Sequence, residues 1–171
     1  MTLDQLIKIM PNARAKAGIF LPALNAAMLE FGINTPARQA SFLAQLAHES
    51  GQLLYVRELA SGAAYEGRKD LGNVQPGDGV RFRGRGLIQV TGRTNYAACG
   101  KALGLDLLAQ PALLEQTVNA CRSAGWFWQS RGLNALADAG DQVAVTRKVN
   151  GGTNGLAERL AFFKVAQKVL A

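Results

Sequence analysis

Apolar positions recur at helical spacing through most of the chain. Thr2 and Gln5 make a capping-box signature for a helix over 3–10, which Pro11 stops. Leu21, Leu24, Met28 and Phe31 line one face of a second helix, about 15–31, with Gly32 as its C-terminal cap. Thr35 and Pro36 then read as N-cap and first helical residue of a third, running to about 49 with Phe42, Leu43 and Leu46 inward. After residue 92 helices are predicted at about 94–103, 111–130, 133–139, 141–149 and 155–170. Between them, 51–92 is glycine-rich and broken by turn signals such as "PGDG"; loops this long inside a domain usually carry function. Within it only "GLIQVT", residues 86–91, has the alternation of a short strand, which would point Gln89 and Thr91 to one face. The fold class is mainly α.

At 171 residues and 49% hydrophobic, the chain is expected to be one domain, 1–171, with a substantial core and too short for a second domain of normal size. No apolar run approaches the ~20 residues of a membrane span, so no membrane insertion is expected. Asp4 stands where a signal peptide needs basic charge, so the expectation is a product made in the cytoplasm, for which any work outside would need another route out. Cys99 and Cys121 lack metal-site spacing and read as buried free thiols, with a disulfide as the alternative; with one histidine, no metal is expected. A net charge of +7 favours an anionic partner. Without a helix-turn-helix, zinc-finger or RNP pattern, it gives no support to nucleic acid.

Chemistry concentrates around the single histidine. In "AHESG", His48 adjoins Glu49 near a helix C-terminus, where the macrodipole disfavours a carboxylate anion and suits a general acid that keeps its proton. His48 reads as a group that orients or packs against this site. Glu58 follows nine residues on, and two carboxylates flanking a cleft are the minimum equipment for glycoside hydrolysis. Glu66 competes with Glu58 for the second role, and spacing alone does not separate them. Gly84 and Gly86 in "FRGRGLIQVTGRTNY" permit close backbone approaches, and an amide and hydroxyl at 89 and 91 suit a sugar or a positioned water. In "TRKVNGGTNG", Asn150 belongs either to a turn or to a ligand-binding edge.

"AHESG", "RFRGRGLIQVTGRTNY" and "RKVNGGTNG", in this order and spacing, resemble glycoside hydrolase family 19, and within it the bacteriophage-type endolysins related to class I chitinases. The resemblance covers roughly 36–160. It implies a lysozyme-like, two-lobed helical fold with the Gly-rich region lining a central cleft, and an inverting mechanism without a cofactor. Glu49 then corresponds to the general acid, Glu58 to the base (with Glu66 the alternative) and Thr91 to the hydroxyl that holds the water. His48, Gln89, Asn95, Tyr96 and Asn150 fall in the substrate-binding set. The implied partner is bacterial peptidoglycan, with chitin-like oligosaccharides as the alternative substrate, cut by a monomer reaching the wall through a separate pore. A lytic transglycosylase working with one glutamate is the competing mechanism.

Overall fold

The Thr2–Gln5 capping box forms as the sequence predicts: Thr2 N–H donates to Gln5 Oε1 at 2.8 Å and Gln5 N–H to Thr2 Oγ1 at 3.2 Å. It opens α1 (Leu3–Ile9) in the computed structural model, which describes residues 1–171. A 3₁₀ turn, Pro11–Ala13, leads into α2 (Arg14–Glu30), which carries Pro22 in its interior without ending there. Thr35 caps α3 (Pro36–Glu49) by accepting from Arg38 N–H, with Pro36 in the first turn. Then follow α4 (Asp78–Arg81), α5 (Arg93–Leu103), α6 (Thr117–Ser130), α7 (Leu133–Asp138), α8 (Gln142–Asn150) and α9 (Leu156–Leu170). None of these helices is long and apolar enough to cross a membrane. The architecture is the mainly helical, lysozyme-like one.

Helix α3 is the axis of the helical body: residues 40–47 are buried on every face, as expected of a helix surrounded by others. Phe42 meets Trp128 of α6 edge-on, ring centres 5.3 Å apart, and Trp128 places its indole N–H on Asn134 Oδ1 at 2.8 Å. The side of α3 facing α8 and α9 is polar instead. Ser41 donates to Gln142 at 2.9 Å and Gln45 to Thr146 at 3.3 Å, one helical turn apart. This buried polar row leads along α3 toward Glu49.

The glycine-rich segment forms the second lobe, fastened by Asp78. Its carboxylate accepts from Arg93 at 2.6 and 2.8 Å and from Gln75 N–H at 3.0 Å, while Asn73 Oδ1 accepts from Arg93 N–H. The Arg93 guanidinium beside Asp78 holds this carboxyl below the usual carboxylate range. Cys99 and Cys121 are free and buried, and burial pushes both thiols up to about 12.

Two elements differ from expectation. Residues 86–91 make no strand: Arg85 and Val90 exchange a pair of backbone hydrogen bonds, and Gly86–Gln89 fold into a tight turn between them. Leu87 and Ile88 are both buried, so sides do not alternate, and Gln89 is held at φ 58°. Gly86 is obligatory there: its φ is 80°, and an added Cβ would stand 2.5 Å from Ser123 Oγ. The single helix expected over 111–130 is broken. Pro111–Glu115 is 3₁₀, Gln116 is extended, and α6 starts at Thr117. The break lets Glu115 reach Arg85 at 2.8 Å while Leu114 enters the core.

Candidate active site

Glu49 is the last residue of α3, and its partner was not foreseen. Arg159 of α9, only 1% exposed at the side chain, donates to Glu49 Oε1 at 2.5 Å. The same guanidinium donates to Gln45 Oε1 at 2.6 Å and to the Asn154 carbonyl at 3.1 Å. The negative end of α3 is therefore met by a buried cation, and the helix dipole does not act on Glu49 alone. Glu49 keeps a second oxygen, and its side chain is 19% exposed.

Glu58 hangs on the glycine-rich lobe, with its own N–H donating to the Gly84 carbonyl at 3.0 Å. Tyr65 donates its hydroxyl to Glu58 Oε2 at 3.1 Å, and burial together with that carboxylate raises the phenol above the ordinary tyrosine range, so it stays a donor. Glu58 Oε1 is buried without a hydrogen-bond partner. The turn fixes the neighbours: Gln89 Nε2 donates to the Gly86 carbonyl and Thr91 Oγ1 to the Gln89 carbonyl. Three oxygens converge over Gly84, where an added Cβ would lie 2.7 Å from Gln89 Oε1, 2.8 Å from Glu58 Oε2 and 3.3 Å from Thr91 Oγ1. A carboxylate with an unclaimed oxygen, beside an amide and a hydroxyl, can hold and deprotonate one water.

Glu66 is differently employed. Its oxygens accept from the backbone N–H groups of Gly77 and Gly79 at 2.6 and 2.8 Å, pinning the start of α4. Gln89, Thr91 and Asn95 line a recess of about 170 Å³ walled by Trp126 and Phe127. Asn95 is oriented there by donating to the Thr91 carbonyl at 2.8 Å. Asn150 closes α8 and is exposed. His48 pairs with Glu158 at 2.5 Å and is capped by Gly155, whose missing Cβ leaves room for the imidazole. Tyr96 requires a correction, because it is fully buried and unavailable to a sugar. Its hydroxyl donates to the Arg83 carbonyl at 2.6 Å and accepts from Arg85 at 3.0 Å, bracing the turn from behind.

Sequence reasoning missed Arg159, Tyr65 and the aromatic pair Trp126 and Phe127. Arg159 left a signal, since it falls with Leu156, Leu160 and Phe163 on the apolar side of α9, where a charge needs a buried partner. Tyr65 left none, since nothing local marks which side of the loop it faces.

Known proteins resemble this chain over most of its length. Residues 33–170 match the family model for chitinase class I, glycoside hydrolase family 19. A glycosyl hydrolase family 19 domain-containing protein of Haemophilus influenzae is 31% identical, over 92% of this chain and 90% of that protein. An endochitinase of Arabidopsis thaliana is 40% identical over 66% of this chain, a stretch that spans only 39% of the plant protein. Among solved structures, chitinase C from Streptomyces griseus superposes with a TM-score of 0.78 at 27% identity, covering 99% of this chain and 76% of that one. A bacterial family 19 chitinase gives a TM-score of 0.81 at 23% identity, a likeness of fold, over 99% of this chain and 94% of the other. The chain belongs to glycoside hydrolase family 19, the chitinase class I family, and is a glycoside hydrolase.

Proposed function

We propose that the chain is an endolysin that hydrolyses β-1,4-glycosidic bonds of bacterial peptidoglycan by inversion, with Glu49 as acid, Glu58 as base and Thr91 as the water holder. The observation that carries the mechanism is the Glu58 carboxylate, whose Oε1 is buried and unpartnered while its Oε2 stands with Gln89 Oε1 and Thr91 Oγ1 over Gly84. In this reading Arg159 holds Glu49 Oε1, and the proton for the leaving oxygen is delivered from Oε2. Glu58 takes a proton from the water that attacks the opposite face of the sugar, and Tyr65 keeps the carboxylate in position. Gln89, Asn95 and Asn150 would contact the glycan.

Peptidoglycan is supported by the +7 charge, which concentrates an enzyme on an anionic wall. The chain would work as a monomeric catalytic unit, made in a host cytoplasm and reaching the wall through a separate pore. Chitin is the second reading, favoured by the plant endochitinase relatives. Mass spectrometry of soluble fragments from purified peptidoglycan and from chitin oligosaccharides separates the two. Muropeptides cut within the glycan, with chitin turned over far more slowly, are expected. Rapid turnover of chitin alone would replace the wall by chitin in this proposal.

A further inference from the structure

A second recess, about 280 Å³, opens at Glu58, and Glu58 is the one residue of its lining that the mechanism above uses. Leu54, Tyr55 and Leu59, all exposed, give it an apolar side. Its charged groups are Arg57, Glu58, Arg83 and Glu115. Glu115 is already claimed, by Arg85 at 2.8 Å and by Arg57 at 3.6 Å. Arg81 and Arg85, flanking Arg83 in the sequence, are likewise committed: Arg81 donates to the Leu108 and Ala109 carbonyls, Arg85 to Glu115, Tyr96 and the Arg81 carbonyl.

Arg83 is the exception. It is half-buried, its Nε is fully buried without a partner, and no carboxylate stands within 4 Å of its guanidinium. A desolvated guanidinium N–H without an acceptor is costly, and the planar fork is shaped to receive a carboxylate on two parallel bonds. Glu58 shares the recess but does not pair with it; the sealed Nε is out of a ligand's reach, and the two terminal Nη groups, which no group of the chain claims, remain open to a ligand next to the candidate base.

We propose that Arg83 receives a carboxylate borne by the glycan substrate, which makes it a specificity-determining residue for acidic over neutral N-acetylhexosamine polymers. The proposal rests on the wall-hydrolase reading and deepens it. In peptidoglycan the carboxylate has two sources: the lactyl ether of an unsubstituted muramic acid, or the stem peptide attached there. Chitin has neither.

Titration calorimetry tests this directly, in the Glu49→Gln background so that the sugars are not cut. The probes are an alternating N-acetylglucosamine–N-acetylmuramic acid tetrasaccharide with free lactyl carboxyls, its methyl ester, the same sugar carrying L-Ala–D-Glu, and chitotetraose. One of the acidic sugars should bind at least about tenfold more tightly than the ester and chitotetraose, a gap of about 1.4 kcal/mol. The tighter of the two acids names the source. Arg83→Gln should abolish the preference, and Arg83→Lys, which keeps charge without the fork, should retain part of it. Equal binding of acid and ester, or a preference that survives Arg83→Gln in a variant that melts normally, would overturn the assignment. Failure of the unmutated enzyme to release fragments from purified walls would sink the wall reading instead, while a carboxylate preference in these titrations would still support Arg83.

Discussion

Arg159 donates to Glu49 at 2.5 Å from a position almost sealed from solvent, so the candidate acid is tied to the helix that completes the core. Removing either partner has a structural cost. Arg159→Met leaves Glu49, Gln45 and the Asn154 carbonyl without their donor and should destabilise the fold by about 3 kcal/mol, the lower end for breaking a buried pair, because Glu49 is part-exposed. Glu49→Gln keeps an oxygen for Arg159 but replaces the second carboxyl oxygen by an amide NH2. It should melt lower, stay folded and retain under about a hundredth of wild-type lysis, since an amide has no proton to give. Denaturant unfolding with a turbidity assay checks both; an unchanged midpoint for Arg159→Met would contradict the account of the pair.

Gly84 offers a finer probe. An alanine methyl there would press on Gln89, Glu58 and Thr91 together, all of them movable side-chain ends, and Gly84 does not need a left-handed backbone. Gly84→Ala should therefore lower kcat on the order of a hundredfold with little change in Tm. Gly125→Ala makes the contrast, because its methyl meets the Phe31 ring inside the core. It should lose stability and keep its specific activity. Normal turnover by Gly84→Ala would mean that the cluster over Gly84 does not hold the reacting water.

The two candidate second carboxylates should separate cleanly. Glu58→Gln should cost on the order of a hundredfold in kcat with near-normal stability, the size expected for a lost general base. Glu66→Gln weakens the acceptor for two backbone amides and should cost about 1 kcal/mol of stability, with less than about threefold in rate. The opposite ranking would assign the base to Glu66.

Asp78 should govern part of the acid sensitivity. Its folded pKa lies below the unfolded value because of Arg93, so its contribution is fully present above the unfolded value, near 4, and is lost as pH falls through the folded one. Asp78→Asn should lower stability at neutral pH and flatten the loss below about pH 4. Parallel stability curves for the variant and wild type would show that the Asp78–Arg93 pair does not contribute in this way.

Helix positions were legible because they depend on local patterns: the Thr2–Gln5 box, the Thr35–Pro36 start and the Phe42–Leu43–Leu46 face all form. The turn at 86–89 was not, since "LIQV" alternates only in sequence, whereas Leu87 and Ile88 are both buried and Leu87 N–H donates to the Ala120 carbonyl of α6. Tyr96 was misread for a related reason. Its motif places it near the cleft, but its place on α5 directs it inward, where only the Arg83 carbonyl and Arg85 meet its hydroxyl. The carboxylates at 49 and 58 stood out by type, while their partners Arg159 and Tyr65 come from pairings that local periodicity does not record.

Inversion requires that Glu58, with Thr91, activate a water for attack opposite the leaving group. A separation of roughly 6.5–9.5 Å between acid and base is the room such a water requires. Proton NMR of the first products from a short glycan, recorded before mutarotation, reads the outcome at the new reducing end. Inversion gives α-anomers. β-Anomers, or the 1,6-anhydro ends left by a transglycosylase, would contradict it.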